Sequence, residues 1–402
     1  MPRNWRQIAW WMRRSFAGII AAVPLWLGPA AAHAATITVS TKTIAGANRA
    51  QPQLVHMLRL TGRIEAGDAE KLREILAKLP RWSGTPPDMP SAFIELSSIG
   101  GDLTEGLQIG ELLRKFRVSA VVRKRDLCLS SCALALLGGN VHRVPSVYPE
   151  DCNVEVGGKV AFHNISLNRN GLREITSDDP VASRLQGFAD ARGGAALLVR
   201  YAAQMGLPPN FVASMIGRPV EDFQYIETVE QFLSFRVCPI GLGRPQVTLD
   251  VQAANICSNA TGAPDSSSSM QVTPIAAVHA RRYLLERLQA NMQSSKAKGR
   301  LAAQLADGAV MRVKAEIDRL YEDLRAAGVA LPDIVGPTFE VGRTRSGSYE
   351  TICYVSLSAE DPDSFDVVLQ GPRGLSEPPH QPPTNSRRLF LFNRADVINR
   401  RP

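Results

Sequence analysis

Between residues 55 and 137, short apolar segments alternate with amphipathic ones, and this alternation restricts the fold more than any other feature of the chain. Residues 55–60 read as a strand. Residues 69–79 read as a helix, because Leu72, Ile75, Leu76 and Leu79 recur at helical spacing. A second strand, residues 92–96, runs into Ser97-Ser98-Ile99-Gly100-Gly101-Asp102, and a helix over residues 103–116 carries Leu107, Ile109, Leu112 and Leu113. The third strand, residues 119–122, leads through a basic loop to Cys128-Leu129-Ser130-Ser131-Cys132 and an apolar helix ending at Leu137. Strands separated by crossover helices pair in parallel, so the expected class is α/β.

Beyond Gly138-Gly139, strand-like residues 141–144 and 159–163 flank an interruption at 145–158. Helical residues 181–205, a shorter helix near 211–216 and a small element at 225–235 complete a first domain expected over 35–238. Residues 239–275 are rich in Gly, Pro and Ser, including the run Ser266 to Ser269, and are expected to be a linker. A smaller α+β module is expected over 276–372. There Val313, Ile317, Leu320 and Leu324 form an apolar helical stripe, and residues 349–357 and 365–369 read as strands. The Pro-rich, basic residues 373–402 are expected to be a disordered, solvated tail.

Residues 1–34 carry Arg3, Arg6, Arg13 and Arg14 with no acidic residue, then an apolar run at 17–27, then Ala32-His33-Ala34. That order is the order of a secretory signal peptide, with cleavage expected after Ala34. The apolar run falls short of the roughly 20 residues that cross a bilayer, so no stable membrane span is expected. A periplasmic or secreted protein follows, with tethering by an uncleaved segment as the alternative. The formal net charge of +8 is concentrated at the two ends, since Arg387, Arg388, Arg394, Arg400 and Arg401 against Asp396 match the +4 of the first segment. Nothing resembles a basic face interleaved with aromatics, which argues against a nucleic-acid partner. Six cysteines in an exported chain point to disulfides, with fifteen pairings open. The C-x3-C spacing of Cys128 and Cys132 has no second pair at zinc-site spacing, so no metal is expected.

Three features bear on chemistry. Gly100-Gly101 follows a strand and opens a helix, where residues without a Cβ let backbone N–H groups face outward as an oxyanion cradle; a tight turn explains the same glycines. Ser130 begins another helix, where it is either a nucleophile aided by the helix dipole or an ordinary N-cap. His163 ends an apolar strand and is followed by Asn164. A neutral imidazole there suits the task of taking a serine's proton, although histidines at strand ends are commonly structural.

Four segments in order resemble the signposts of the ClpP-like serine peptidases in the ClpP/crotonase superfamily: residues 57–64, residues 94–103, Cys128-Leu129-Ser130-Ser131-Cys132-Ala133, and Ala161-Phe162-His163. The similarity spans residues 55–237. It implies a spiral of ββα units, Ser130 rather than Ser131 as nucleophile, His163 as general base and an oxyanion hole from the N–H groups of Gly101 and Ser131. It further implies a peptide or protein substrate, no cofactor, and a homo-oligomer, since relatives assemble into rings or trimers. The family's acid lies on a later segment, where Asp222 is preferred over Glu221. Lys159 is an alternative base, because some exported relatives use Ser/Lys dyads. Two other functions remain in play: an inactive binding or assembly protein on the same scaffold, and a crotonase-type acyl-thioester enzyme, which export disfavours because coenzyme A esters are cytoplasmic.

Overall fold

In the computed structural model of the chain, residues 34–45, 52–79, 92–139, 153–164, 180–219, 221–262, 270–294, 314–329, 331, 336–342, 352–358, 361, 363–371, 374–376 and 384–401 are described. Outside them lie almost all of the expected export segment, the strand expected at 141–144, Ser266 to Ser269, and Val313. Ala34–Pro402 forms one unit of mixed α/β architecture with several sheets. Among the described residues, no helix is long and apolar enough to cross a membrane.

The alternation read from the sequence becomes a parallel sheet. Strand β1 (Thr36–Ala45) pairs antiparallel with β2 (Pro52–Thr61); after α1 (Asp68–Lys78), β3 (Ala92–Ser97) lies parallel to β2. Helix α2 (Leu103–Phe116) then crosses over to β4 (Val118–Val121), parallel to β3. β4 is buried along its whole length, as a covered parallel strand should be.

A second layer follows. Its elements are β5 (Leu127–Leu129), α3 (Ser131–Gly138), β6 (Val154–Glu155), β7 (Lys159–Phe162), α4 (Pro180–Met205), α5 (Pro209–Ile216), β8 (Gln224–Tyr225), α6 (Val229–Ser234) and β9 (Pro239–Ile240). β7 pairs parallel with β5 and antiparallel with β8, while β6 pairs with β9. Single parallel bridges, Ser98 to Cys128 and Val122 to Val154, carry the ends of β3 and β4 across to β5 and β6. Helix α3 is buried on all sides, so its amphipathicity is lost and every residue packs. α2 can approach it closely because Gly106 and Gly110 present no side chain: a Cβ at Gly106 would stand 2.5 Å from that of Ser131. The Tyr201 hydroxyl of α4 donates to the Leu134 carbonyl at 2.7 Å, tying a third helix to the same core.

The second half corrects two expectations. The supposed linker contains α7 (Leu249–Thr261), a helix whose Ala253, Ile256, Cys257 and Ala260 are buried. It packs on an antiparallel sheet of β10 (Gln271–Ile275), β11 (Thr338–Gly342), β12 (Ile352–Leu357), β13 (Phe365–Gly371) and β14 (Gly374–Ser376), with Cys257 at disulfide distance from Cys353 of β12. Helices α8 (Ala277–Ser294) and α9 (Lys314–Ala326) pair beside it, with Ile317, Leu320 and Leu324 inward as the stripe required.

The tail is likewise packed from residue 384. A 3-10 helix, Thr384–Leu391, buries Leu389, Phe390 and Leu391, and the Asn255 and Asn259 carboxamides of α7 donate to the carbonyls of Leu391, Phe390 and Phe392. The tail arginines that looked solvated find distant acids: Arg388 with Asp363, Arg394 with Glu230, Arg401 with Glu227. Further on, buried Asn399 accepts from the Gly157 N–H at 3.0 Å and donates to the Gly158 carbonyl at 2.8 Å. Asn399→Ala leaves both backbone groups unpaired, and a loss of about 2 kcal/mol is expected in denaturant unfolding.

Candidate active site

One residue separates β5 from α3. That residue, Ser130, adopts φ 56° and ψ −123°, on the left-handed side that residues with a Cβ rarely visit. Its backbone is held at both ends, because the Ser130 N–H donates to the Ala161 carbonyl at 2.9 Å and its carbonyl accepts from the Leu134 N–H at 3.2 Å. Its side chain makes no capping bond to α3, so the N-cap reading of this serine does not hold. The hydroxyl has no hydrogen-bond partner among the described residues.

The segment after β3 that contains Gly100 and Gly101 runs beside this turn. Ile64 bridges Gly101 through its N–H to the Gly100 carbonyl (3.0 Å) and its carbonyl from the Asp102 N–H (2.9 Å). In a parallel bridge of that pattern the Gly101 N–H faces the opposite edge, away from Ile64. The adjacent Gly100 shows what lies there: a Cβ at Gly100 would sit 2.8 Å from the Ser130 Cβ and 3.1 Å from the Ser131 nitrogen. At Gly101 a Cβ would strike the Ile64 carbonyl. Both positions therefore require glycine, which the tight-turn reading alone did not. The Ser98 hydroxyl, a contributor not anticipated from the sequence, accepts from the Gly100 N–H at 3.0 Å and steadies the segment. On the other side the Ser131 N–H opens α3, where a first-turn amide has no intrahelical acceptor and the dipole is positive.

His163 enters from the neighbouring strand. Leu129 of β5 pairs with Ala161 of β7, so Ser130 and His163 both follow the carboxyl ends of adjacent parallel strands, whose axes are about 4.8 Å apart. The imidazole packs against the Phe223 ring at a tilt of 49°, with ring centroids 4.7 Å apart. Burial holds its pKa below the ordinary histidine value, with the Asn164 backbone pulling weakly the other way. That direction favours the neutral ring, the form a base requires. Asn164 was read only as His163's neighbour, but its carboxamide donates to the carbonyls of Ile216 (3.0 Å) and Arg218 (2.7 Å), folding the loop after α5 against the imidazole.

Two expectations about the base do not survive. Asp222 is exposed and ion-paired with Arg218 at 2.8 Å, Glu221 is exposed, and the His163 Nδ1 is buried with no hydrogen-bond partner. Among the described residues, no carboxylate accepts a hydrogen bond from this ring. Lys159 fails on register: it pairs with Leu127 at the far end of β7, and its ammonium donates to the Arg400 carbonyl. Cys128 and Cys132 stand at disulfide distance on either side of Ser130, both fully buried. Compared with family models and with curated proteins, the sequence matches none.

Two outcomes are expected. Asp222→Ala removes only an exposed ion pair, so any Ser130-dependent reactivity should change by less than roughly 3-fold. Because burial lowers the His163 pKa, the unfolded chain holds more protons than the folded one just below the ordinary histidine value of about 6.5. The stability contribution is therefore complete above about pH 6.5 and falls as pH drops through the depressed pKa; the acid limb of reactivity should lie below pH 6.5 in a pH–rate titration.

Proposed function

We propose that the chain is an exported serine hydrolase acting on peptide bonds, built as a ClpP/crotonase-like spiral, with Ser130 as nucleophile and His163 as base. The observation that carries this reading is the Ser130 backbone, a left-handed serine between a strand and a helix whose hydroxyl is unused by the fold. Outliers of this kind persist at functional sites because neighbouring structure over-determines them, and a strained strand-to-helix turn is a recurring way to expose a nucleophile. The bridges that hand β3 and β4 on to β5 and β6 are what successive ββα turns of a spiral would leave. Cysteine pairs at disulfide distance fit an oxidising compartment.

In this mechanism the Ser130 Oγ bonds to the substrate carbonyl carbon while its proton passes to His163 Nε2, the ring nitrogen left available when Nδ1 is buried. The carbonyl oxygen becomes an oxyanion between the N–H groups of Gly101 and Ser131. Collapse breaks the C–N bond, with the proton delivered to the departing amine; water then repeats the sequence and frees Ser130. Among the described residues no carboxylate accepts from His163 Nδ1, so the proposed machinery is a Ser130–His163 dyad, expected to be slower than a full triad.

That same unpaired Nδ1 favours a second reading, a scaffold retained for binding with little catalysis. A fluorophosphonate probe separates the two. Covalent labelling of the purified protein is expected, abolished in Ser130→Ala and slowed by roughly 10³-fold or more in His163→Ala. Absence of Ser130-dependent labelling leaves the binding reading.

A further inference from the structure

We infer that the Cys128–Cys132 bridge is a positioning element for the nucleophile, holding the Ser130 backbone in its reactive conformation; this rests on the hydrolase reading above. Cys128 is the middle residue of β5, and Cys132 is the second residue of α3, so the bridge spans the turn that contains Leu129, Ser130 and Ser131. Four residues of extended chain reach roughly 13 Å. Here the two Cα atoms are 5.1 Å apart, so the turn is doubled back inside a closed ring with Ser130 at its apex.

A left-handed serine is unfavourable on its own, and the restraints on it are few. They are the N–H bond to Ala161, the carbonyl bond from Leu134, the close approach of Gly100 and the bridge. Besides the main chain through Ser130 itself, the bridge is a second covalent link between β5 and α3, and it closes the turn into a ring. Rotation of Ser130 back to an ordinary φ would swing the following peptide plane, and that plane carries the Ser131 N–H. The nucleophile and one oxyanion donor therefore depend on the same dihedral angle.

The other described pair has a different character. Cys257 and Cys353 close a ring of sequence separation 96 between α7 and β12. Restraint of the unfolded chain grows with the length of the closed loop, so the long ring contributes to stability and the four-residue ring contributes little by that route. Local geometry is what the short ring supplies.

The experiment compares the full-length exported protein with Cys128→Ala/Cys132→Ala and with Cys257→Ala/Cys353→Ala. Reversible reduction of the folded protein by dithiothreitol supplies the same comparison without a substitution; exchange there yields two cysteine thiols and one molecule of the oxidised, cyclic dithiol. Mass spectrometry establishes the state of each pair. Time courses of fluorophosphonate labelling give the limiting rate, the apparent affinity and the end-point, and the amide-to-α three-bond coupling of Ser130 reports its φ.

Opening the short ring is expected to lower the limiting rate by roughly 10- to 100-fold, the scale of a small misplacement of reacting groups, with the end-point and affinity unchanged and the Ser130 coupling altered. Re-oxidation should restore the rate. Opening the long ring should lower the melting temperature and leave the limiting rate alone. An unchanged limiting rate and unchanged coupling with the short ring verifiably open would overturn the inference. If the native protein takes no label, the hydrolase reading fails separately, and the coupling still decides: a left-handed Ser130 that survives opening of the ring sinks the positioning role, and one that relaxes sustains it.

Discussion

The left-handed backbone of Ser130 is the constraint on which the packing around α3 depends. Such a conformation costs on the order of 1–3 kcal/mol. Against it stands the burial of α3, in which Leu134, Leu136 and Leu137 are each almost wholly enclosed and contribute roughly 1.5–3 kcal/mol apiece. The strain is therefore a minority term, provided α3 enters its pocket at the angle that the turn dictates. Gly106 and Gly110 of α2, and the Tyr201 hydroxyl bonded to the Leu134 carbonyl, fix that angle from two further helices. The core and the candidate nucleophile are thus not separable: the packing that excludes water from α3 also sets the direction of the residue before it.

Electrostatically the site is spare. Among the described residues, several charges are engaged in ion pairs: Arg59 with Glu95 and Asp126, Arg123 with Glu95, Arg218 with Asp222. The imidazole packs against the Phe223 ring, and burial disfavours its protonated form while the Asn164 backbone opposes that shift. In the proposed mechanism such a base would hold its proton loosely, with uncharged amides of the Gly100-Gly101 segment and the start of α3 as donors. Preorganised dipoles, rather than fixed charges, make up the environment in which an oxyanion would form.

The legible part of the structure was the part governed by local periodicity. Strands β2 to β4 and helices α1 to α3 follow from apolar spacing, because buried elements must present a continuous hydrophobic face and the sequence has no freedom there. Ser130 and His163 were legible as the residues that follow β5 and β7, because each ends a periodic segment. Asp222 was misjudged because its orientation depends on Asn164, more than fifty residues away in sequence, whose bonds to Ile216 and Arg218 settle where the loop lies. β1, of which the sequence suggests only residues 37–39 as strand-like, extends further because its pairing with β2 is a matter of backbone hydrogen bonds. The tail was misread because arginine density resembles a solvated segment, whereas each paired acid comes from a remote stretch of chain.

That tail also bears on the site, through β7. The strand begins at the Gly157–Gly158 turn, which Asn399 clasps from both sides, and the Lys159 ammonium is tied to the Arg400 carbonyl. It ends at His163, whose neighbour Asn164 is anchored to the α5 loop. Between these clamps the pairing of β7 with β5 has no freedom to slip, and a one-residue slip would carry His163 to the opposite face of the sheet. Four residues is too short for β7 to hold register on its own ladder, which explains why side-chain amides at both ends do so. The distal segment, expected to be idle, supplies one of the two points that fix where the imidazole stands.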